Sequence, residues 1–257
     1  MSQSPDLFEG IRQSRLSVIV PVFNEAEKIV ANLKLLISEI EPYFSTYEVL
    51  VISDGSTDGT EAAVRAFNHP RVKLNESRPN RGKGYSVREG FRAATGEYVL
   101  FIDGGMELHP KEIRIFLGLM GLYQADIVLG SKRHPQSRID YPVVRRILSF
   151  TYQMLIKRFF GLDVTDTQVG IKLFRRAVVD AILPELRVDR YGFDLEILAL
   201  AKQKGFETFL EAPIRLDYFA YNDRNFVAEM AHVGRVGLTV MADTIALYRR
   251  IRKAQAK

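Results

Sequence analysis

No cysteine occurs among the 257 residues of the chain. A protein without thiols cannot build a disulfide framework, a thiolate zinc site or a cysteine nucleophile, so these kinds of structure and catalysis are excluded. The absence leaves the compartment open, with a reducing cytosol as the default expectation.

Long apolar runs are also missing, whereas a helix that crosses a bilayer needs about 20 mostly apolar residues. The longest candidate, Phe226 to Tyr248, is interrupted by Glu229, Arg235 and Asp243. The N-terminus lacks the basic and then apolar pattern of a secretion signal, and residues 1–15 are predicted to form a flexible tail.

Two common nucleotide-binding signatures do not occur. The first apolar run continues into PVFNE at 21–25 without a GxGxxG sequence, and the chain contains no Walker A sequence. A nucleotide, if one binds, must therefore be held by a different arrangement of backbone and side chains.

The charge is that of a moderately basic globular protein, with a net charge of +5 and 26% charged residues. Residues 1–130 contain 14 Lys and Arg against 17 Asp and Glu, a net of −3, whereas residues 131–257 contain 22 against 14, a net of +8. The basic half predicts an anionic partner: a phosphate ligand, a membrane surface or nucleic acid. Nucleic acid is the weakest of these, because no helix-turn-helix, zinc or RNP signature is present.

Short apolar runs alternate with helical periodicity, which predicts an α/β fold with a mainly parallel sheet flanked by helices. Ligands of such sheets bind at the carboxyl ends of the strands, where Asn24, Asp54 and Asp103 stand in this sequence. The predicted strands are Leu16–Phe23, Glu48–Ser53, Val72–Asn75, Tyr98–Asp103 and Asp126–Gly130.

Six segments follow one another in an order that identifies a family. They are PVFNE at 21–25, SDGSTDGT at 53–60, NRGKGYSVREG at 80–90, FID at 101–103, LGSKRH at 129–134 and DTQVGIKLFRR at 166–176. Over residues 16–217 the chain resembles the inverting family 2 glycosyltransferases of GT-A fold, and within them the branch of dolichyl-phosphate mannose and glucose synthases. The resemblance implies a nucleotide-sugar donor and a polyprenyl-phosphate acceptor.

The resemblance implies a donor site built from the first three motifs. Pro21, Phe23 and Glu25 would line the base and ribose pocket, and Asp54 would contact the nucleoside. Lys83 lies between glycines before a helix, where an ammonium and backbone N–H groups suit a diphosphate. Each residue also has a structural explanation, because Asn24 suits a helix N-cap, Asp54 a turn and Lys83 a solvated helix face.

The metal motif of the family is usually Asp-x-Asp, but this chain reads Asp103-Gly-Gly105-Met-Glu107. Mg²⁺ or Mn²⁺ would offset the charge on the departing nucleoside diphosphate, and Asp103 with Glu107 are the expected ligands. The missing second Asp leaves two alternatives open: weakened metal binding, or a relative that binds nucleotide-sugar or lipid without turnover.

The acceptor side falls in the basic half. By resemblance, Lys132, Arg133, Arg145 and Arg146 would hold the lipid phosphate, and each suits a solvated face equally well. Asp166 begins a DTQ-x-G-[FI]-K stretch that lines the acceptor side in the glucosyl-type branch; it also suits a turn or a helix cap.

The C-terminal segment, residues 218–257, is predicted to be an amphipathic helix at a membrane interface. The alternative is a helix that packs on the protein's own core. Its apolar stripe is formed by Met230, Val233, Gly237, Val240, Met241, Tyr248 and Ile251, with Arg235, Arg249, Arg250 and Lys253 towards the other side.

These expectations combine into one reaction: transfer of a hexose from UDP-glucose or GDP-mannose to a polyprenyl phosphate, with inversion, at the cytoplasmic face of a membrane. A phosphate acceptor needs no strong base, since its second pKa is roughly 6. Lys83, Asp103 and Asp166 are the expected catalytic residues. The alternative acceptor is a sugar or lipid hydroxyl, for which Asp166 would be the base.

Overall fold

A computed structural model of the chain describes residues 8, 11, 13–137, 143–190, 192–215 and 226–255. Side chains are described over the same ranges except at 143–150, 226–238 and 254–255.

Helices flank a sheet that has seven strands within the described residues, in the order β3-β2-β1-β4-β6-β5-β7. The strands are β1 (Arg15–Val22), β2 (Thr46–Asp54), β3 (Val72–Ser77), β4 (Tyr98–Ile102), β5 (Ile127–Ser131), β6 (Ile171–Arg175) and β7 (Phe209–Pro213). The helices are α1 (Ile29–Ile40), α2 (Thr60–Phe67), α3 (Lys83–Ala93), α4 (Ile113–Tyr123), α5 (Val143–Phe160), α6 (Arg176–Ile182), α7 (Phe193–Gln203) and α8 (Phe226–Gln255).

The sheet is mainly parallel, as predicted. Strand β1 pairs in parallel with β2 and β4, β2 with β3, and β5 with β7, whereas β6 runs antiparallel between β4 and β5. The five predicted strands are confirmed with ends that shift by at most two residues, and β6 and β7 are additional.

The core lies on both faces of the sheet, which explains the unbroken apolar sequence of β1. Val18 and Val20 point into one cluster, formed with α1 and α4. Ile19 points into the other, which contains Phe91 of α3 and most of α7. The carboxyl ends of β1, β2 and β4 are therefore fixed by packing on two sides.

The predicted tail differs from the structure at the positions that are described. Ile11 is 1% exposed and belongs to the first core cluster, and β1 begins at Arg15. The apolar side chain of Ile11 is held by the same burial that stabilises the sheet.

The second half of α8 packs on the protein's own core, which is the alternative that the sequence left open for its apolar stripe. Val240, Leu247 and Ile251 are buried, and the latter two join the second core cluster. The Thr244 hydroxyl lies 2.9 Å from that of Tyr152 on α5. Burial on this core is the physical alternative to burial in lipid. Of the predicted stripe, the side chains of Met230, Val233 and Gly237 lie outside the described residues.

Candidate functional site

A cleft of 660 Å³ opens at the carboxyl ends of β1, β2 and β4, where ligands of parallel sheets bind. It brings together most of the donor and metal residues that the sequence indicated. Those that line it are Pro21, Phe23, Glu25, Asp54, Lys83, Asp103 and Glu107.

The loop after β1 is tied to the loop after β2. Asn24 has a φ of +55°, and its side-chain oxygen accepts a hydrogen bond from the Thr57 N–H at 2.8 Å. The predicted N-cap role of Asn24 is wrong, since α1 begins only at Ile29. The hydrogen bond between the two loops fixes the backbone next to Phe23, whose side chain is 49% exposed and lines the cleft.

The carboxylate of Asp54 shapes the loop that leads into α3. Its oxygens accept hydrogen bonds from the N–H of Arg81 at 2.9 Å and of Gly82 at 2.6 Å, and the residue is 4% exposed. Asp54 therefore lines the cleft, and its carboxylate oxygens accept hydrogen bonds from the loop that leads into α3. Gly82 has a φ of +110°, and a Cβ there would lie 2.5 Å from the Asp189 carbonyl oxygen, so only glycine fits.

Lys83 is the first residue of α3, and its Nζ lies 2.6 Å from Asp103 Oδ1. Burial lowers the pKa of Lys83, but the neighbouring carboxylates of Asp103 and Asp194 outweigh burial and raise it. The side chain is thus cationic at neutral pH. No side chain caps α3, so backbone N–H groups at its start add a second feature that attracts anions.

Asp103 is held at the end of β4 by close contact with the chain around Gly170. Its N–H donates to the Gly170 carbonyl at 2.9 Å, and a Cβ on Gly170 would lie 2.1 Å from Asp103 Oδ2. The glycine in the DTQVG motif is explained by this approach, because any side chain would displace the carboxylate.

Gly105 leaves a space beside another carboxylate. A Cβ at this position would lie 3.4 Å from Glu25 Oε1, which is ordinary van der Waals contact. Burial raises the pKa of Glu25; Lys28 lowers it, and the charges of Glu107 and Asp58 add to the increase. Glu25 and Glu107 are therefore near enough to repel each other.

The cleft is acidic overall. The residues that line it include five carboxylates, on Glu25, Asp54, Asp103, Glu107 and Asp194, but only two cations, on Lys83 and Arg190. A diphosphate entering such a site requires additional positive charge, and Mg²⁺ can bind through one or two carboxylates with phosphate oxygens and water completing its shell. Asp103 and Glu107 fit that role. No group of three or more metal-ligating side chains occurs in the described part of the chain.

Asp166 does not line the cleft. Its two oxygens accept hydrogen bonds from the N–H of Lys132 and of Gln168, both at 3.2 Å, so it fixes the turn after β5. Gln168, two residues further on, does line the cleft. Lys132 Nζ lies 4.0 Å from Asp166 Oδ2.

Of the other predicted acceptor residues, Lys132 and Arg133 have described side chains, and neither lines the cleft. Arg133 is half-buried in the turn after β5 and donates its N–H to Ser131 Oγ at 3.1 Å. Arg145 and Arg146 have backbone in α5, but their side chains lie outside the described residues. The structure thus brings the donor and metal residues together, whereas Asp166, Lys132 and Arg133 lie outside the cleft lining.

One buried ion pair next to the cleft was not predicted. Lys172 on β6 is fully buried, pairs with Asp194 of α7 and donates to the Val169 carbonyl at 2.7 Å. Burial raises the pKa of Asp194, although Lys172 and Lys83 act to lower it. The available signal was a charge inside an apolar run, in IKLF and again in FDLEILAL, because buried charges need partners.

Three comparisons with known proteins bear on this arrangement. The family model for glycosyl transferase family 2 matches residues 17–183. Dolichyl-phosphate beta-glucosyltransferase of Saccharomyces cerevisiae is 31% identical over 210 residues, covering 74% of this chain and 63% of the yeast protein. The Drosophila melanogaster protein of the same name is 34% identical over 204 residues, covering 73% and 62%. The chain thus spans slightly less than two thirds of these relatives.

A solved structure agrees with the fold. Glucosyl-3-phosphoglycerate synthase from Mycobacterium tuberculosis, in complex with Mn²⁺, uridine-diphosphate and phosphoglyceric acid, superposes with a TM-score of 0.70. The match covers 94% of this chain and 81% of the synthase at 20% identity, so it bears on the fold alone. The expected GT-A fold is confirmed. With a family model that matches 17–183 and relatives of the same kind, the chain belongs to glycosyl transferase family 2.

Proposed function

We propose that the chain is a glucosyltransferase that moves glucose from UDP-glucose to dolichyl phosphate, or to another polyprenyl phosphate, with inversion. The observation that carries this is the ammonium of Lys83, 2.6 Å from Asp103, inside a cleft at the strand ends. Relatives named dolichyl-phosphate beta-glucosyltransferase favour glucose over mannose as the sugar.

The donor occupies the cleft in this account. Phe23 and Pro21 offer apolar surface to the base, and Glu25, which lines the same cleft, is the proposed acceptor of hydrogen bonds from ribose hydroxyls. The diphosphate meets the Lys83 ammonium and the N-terminus of α3. GDP-mannose, the alternative donor, would use the same features with a larger base.

Asp103 and Glu107 would hold Mg²⁺ or Mn²⁺ together with the donor diphosphate. Such a cation supplies charge neutralisation for the departing nucleoside diphosphate. Support comes from the acidic lining of the cleft and from the Mn²⁺ and uridine-diphosphate named with the structural neighbour.

The reaction is an in-line substitution. An oxygen of the acceptor phosphate forms a bond to the anomeric carbon, while the bond from that carbon to the diphosphate oxygen breaks. The electron pair leaves with the nucleoside diphosphate, beside Lys83. Since the acceptor oxygen is already ionised, the residues act by positioning and charge rather than by removing a proton. Lys132, Arg133, Arg145 and Arg146 are the proposed contacts of the acceptor phosphate.

A hydroxyl acceptor is less well supported, because it needs a base in the cleft. Asp166 is the base proposed for such an acceptor. Its two oxygens accept hydrogen bonds from the N–H groups of Lys132 and Gln168, and Asp166 does not line the cleft.

We therefore expect Asp166→Asn to retain transfer to dolichyl phosphate within about threefold of the unsubstituted protein, since no proton is removed. A loss of activity by two orders of magnitude in an enzyme that still binds UDP would instead assign Asp166 to the chemistry.

We also propose peripheral contact with the cytoplasmic face of a membrane. Met154 on α5 and Ile245 on α8 are 60% and 38% exposed, and these two helices pack on each other through Tyr152 and Thr244. Exposed Arg158, Arg249 and Lys253 on the same helices suit anionic headgroups. Among the described residues, none of the helices is both long and apolar enough to span a bilayer.

Thermal stabilisation by nucleotides tests the donor. UDP and UDP-glucose with Mn²⁺ should raise the melting temperature, because a ligand that binds only the folded state stabilises it. GDP and GDP-mannose at the same concentration should give a smaller shift. A larger shift with the guanine nucleotides would overturn the choice of donor, and no shift with any of the four would overturn the donor site.

A further inference from the structure

The segment Leu186–Arg190 connects the C-terminal helix with the helix that begins at Lys83. On its α3 side, the Asp189 carbonyl accepts a hydrogen bond from the Tyr85 N–H at 3.1 Å. The Asp189 carboxylate also pairs with Arg88 at 2.6 Å. A Cβ at Gly84 would lie 2.4 Å from the Val188 carbonyl oxygen, so backbone approaches backbone there. We call residues 186–190 the bridging segment.

On its other side, the bridging segment is held by one carboxylate. Glu196 of α7 is fully buried, and its oxygens accept hydrogen bonds from the N–H of Arg187 at 2.9 and 3.1 Å and of Val188 at 2.8 Å. The neutralising cation is Arg250 of α8, whose guanidinium pairs with Glu196. A buried carboxylate without a cation is strongly unfavourable, so this arrangement depends on the C-terminal helix.

The contacts form a continuous path from α8 to the donor cleft. Arg250 pairs with Glu196, Glu196 orders the bridging segment, and Asp189 holds Tyr85 and Arg88 in the first two turns of α3. Arg190 at the end of the bridging segment lines the cleft, as does Val240 of α8 itself. The C-terminal helix therefore reaches the site both directly and through buried polar contacts.

We propose that Glu196 and Arg250 are positioning residues for the donor: they hold the bridging segment so that the N-terminus of α3 presents Lys83 to the diphosphate. The C-terminal helix then contributes to donor binding through the Arg250–Glu196 pair. This inference rests on the proposed function only for the identity of the ligand, a uridine diphosphate.

The test compares three variants of the full chain: Arg250→Gln, Arg250→Lys, and the control Arg252→Gln, which changes an exposed arginine on the same helix. The affinity for UDP in the presence of Mn²⁺ is measured by calorimetry. Initial rates with UDP-glucose give KM and kcat, and amide hydrogen exchange is measured on the protein without ligand. Arg250→Gln should weaken UDP binding and raise KM roughly tenfold, the size of one lost charge-assisted contact, with kcat changed less than about threefold. Exchange should increase in 83–90 while α1 is unchanged.

Arg250→Lys should return UDP affinity to within about threefold of the unsubstituted protein, because a cation again faces Glu196. Arg252→Gln should match the unsubstituted protein in every measurement. Unchanged UDP affinity in Arg250→Gln, or exchange that increases equally in α1 and α3, would overturn the proposal and leave Arg250 with a role in stability alone.

Two results separate this inference from the proposed function. If the unsubstituted protein binds no UDP, the proposed function fails, while hydrogen exchange in Arg250→Gln still decides whether α8 orders α3. If Arg250→Gln does not fold, Asp189→Asn weakens the same path at its α3 end and leaves the Glu196–Arg250 pair in place. It should raise KM and the exchange of 83–90 in the same way, and wild-type values for both would contradict the proposal.

Discussion

Lys83 combines three features: it begins α3, contacts Asp103 and lies beside two aromatic rings. Its Nζ is 5.4 Å from the centre of Phe101 and 6.0 Å from that of Phe193. Carboxylates and ring faces both favour the charged form, which is the form that stabilises a departing diphosphate.

Lys83→Met should lower kcat/KM roughly 10²-fold, because removing one charged contact from a developing anion has effects of this size. The loss is measured by initial rates with UDP-glucose. Lys34→Met is the control, since Lys34 is exposed on α1 and distant from the cleft lining. Equal rates in the two variants would contradict the assigned role of Lys83.

Gly105→Asp should tighten Mn²⁺ binding in the presence of UDP by roughly tenfold, since affinity rises with the number of charged ligands. The space exists, because among the described residues a Cβ at 105 meets Glu25 Oε1 alone, at 3.4 Å. Electron paramagnetic resonance of free Mn²⁺ measures the change without relying on activity. Gly105→Asn, of similar size but neutral, is the control; equal Mn²⁺ affinity in the two variants would show that Asp103 and Glu107 do not hold the ion.

Much of the donor site could be predicted from the sequence, because its residues directly follow strands and strand ends converge. The hydrogen bonds of Asp54 could not be predicted, because its carboxylate accepts them from the N–H groups of residues 27 and 28 positions away. To predict the Lys172–Asp194 ion pair, one would need to know that β6 lies against α7. Local sequence patterns thus indicate which residues lie at the carboxyl edge of the sheet. Tertiary contacts determine which polar groups at that edge find a hydrogen-bond or ion-pair partner.

At the scale of elements, Glu48 joins three strands and a loop. Its carboxylate accepts hydrogen bonds from Ser17 of β1, Lys73 of β3 and Thr95 before β4. Burial raises the pKa of Glu48, but these hydrogen bonds outweigh burial and lower it to about 2.

Because the folded pKa lies below the ordinary value, this stabilisation is complete above about pH 4.5 and disappears as the pH falls towards 2. Glu48→Gln should reduce the free energy of unfolding by about 2 kcal/mol at neutral pH, and the difference should vanish near pH 2. Urea denaturation across this range measures it, with Glu27→Gln as an exposed control. A difference that is independent of pH would contradict the lowered pKa.

The element boundaries show where local sequence is informative. Apolar runs located the first five strands, but β6 and β7 were missed because Lys172 interrupts IKLFR and half-buried residues dominate FLEAP. Asn24 suits a helix N-cap by its sequence, yet α1 begins at Ile29 and Asn24 instead binds the loop after β2. The same local sequence suits a residue that caps a helix and a residue that hydrogen-bonds to another loop. Which of the two roles Asn24 takes depends on the loop after β2, which is distant in sequence.

Across the whole molecule, the two halves of the chain differ in net charge and in how much of the cleft they form. Most of the residues that line the cleft belong to the N-terminal half, with additions from Gln168, Arg190, Phe193, Asp194 and Val240. The basic half supplies α5 and α8, which contact each other through Tyr152 and Thr244 and leave Met154 and Ile245 exposed. Helix α8 therefore reaches the cleft through Val240 and also carries the exposed Arg249 and Lys253.

Transfer of radiolabelled glucose tests the central claim most directly. Purified protein is incubated with labelled UDP-glucose, Mn²⁺ and dolichyl phosphate, and the organic-soluble label is counted. We expect a labelled lipid that requires the phosphate group of the acceptor, decreases with EDTA and is lost in Lys83→Met. Equal transfer to dolichol, or label entering the lipid only from GDP-mannose, would contradict it, as would the absence of any lipid product from a protein that binds UDP.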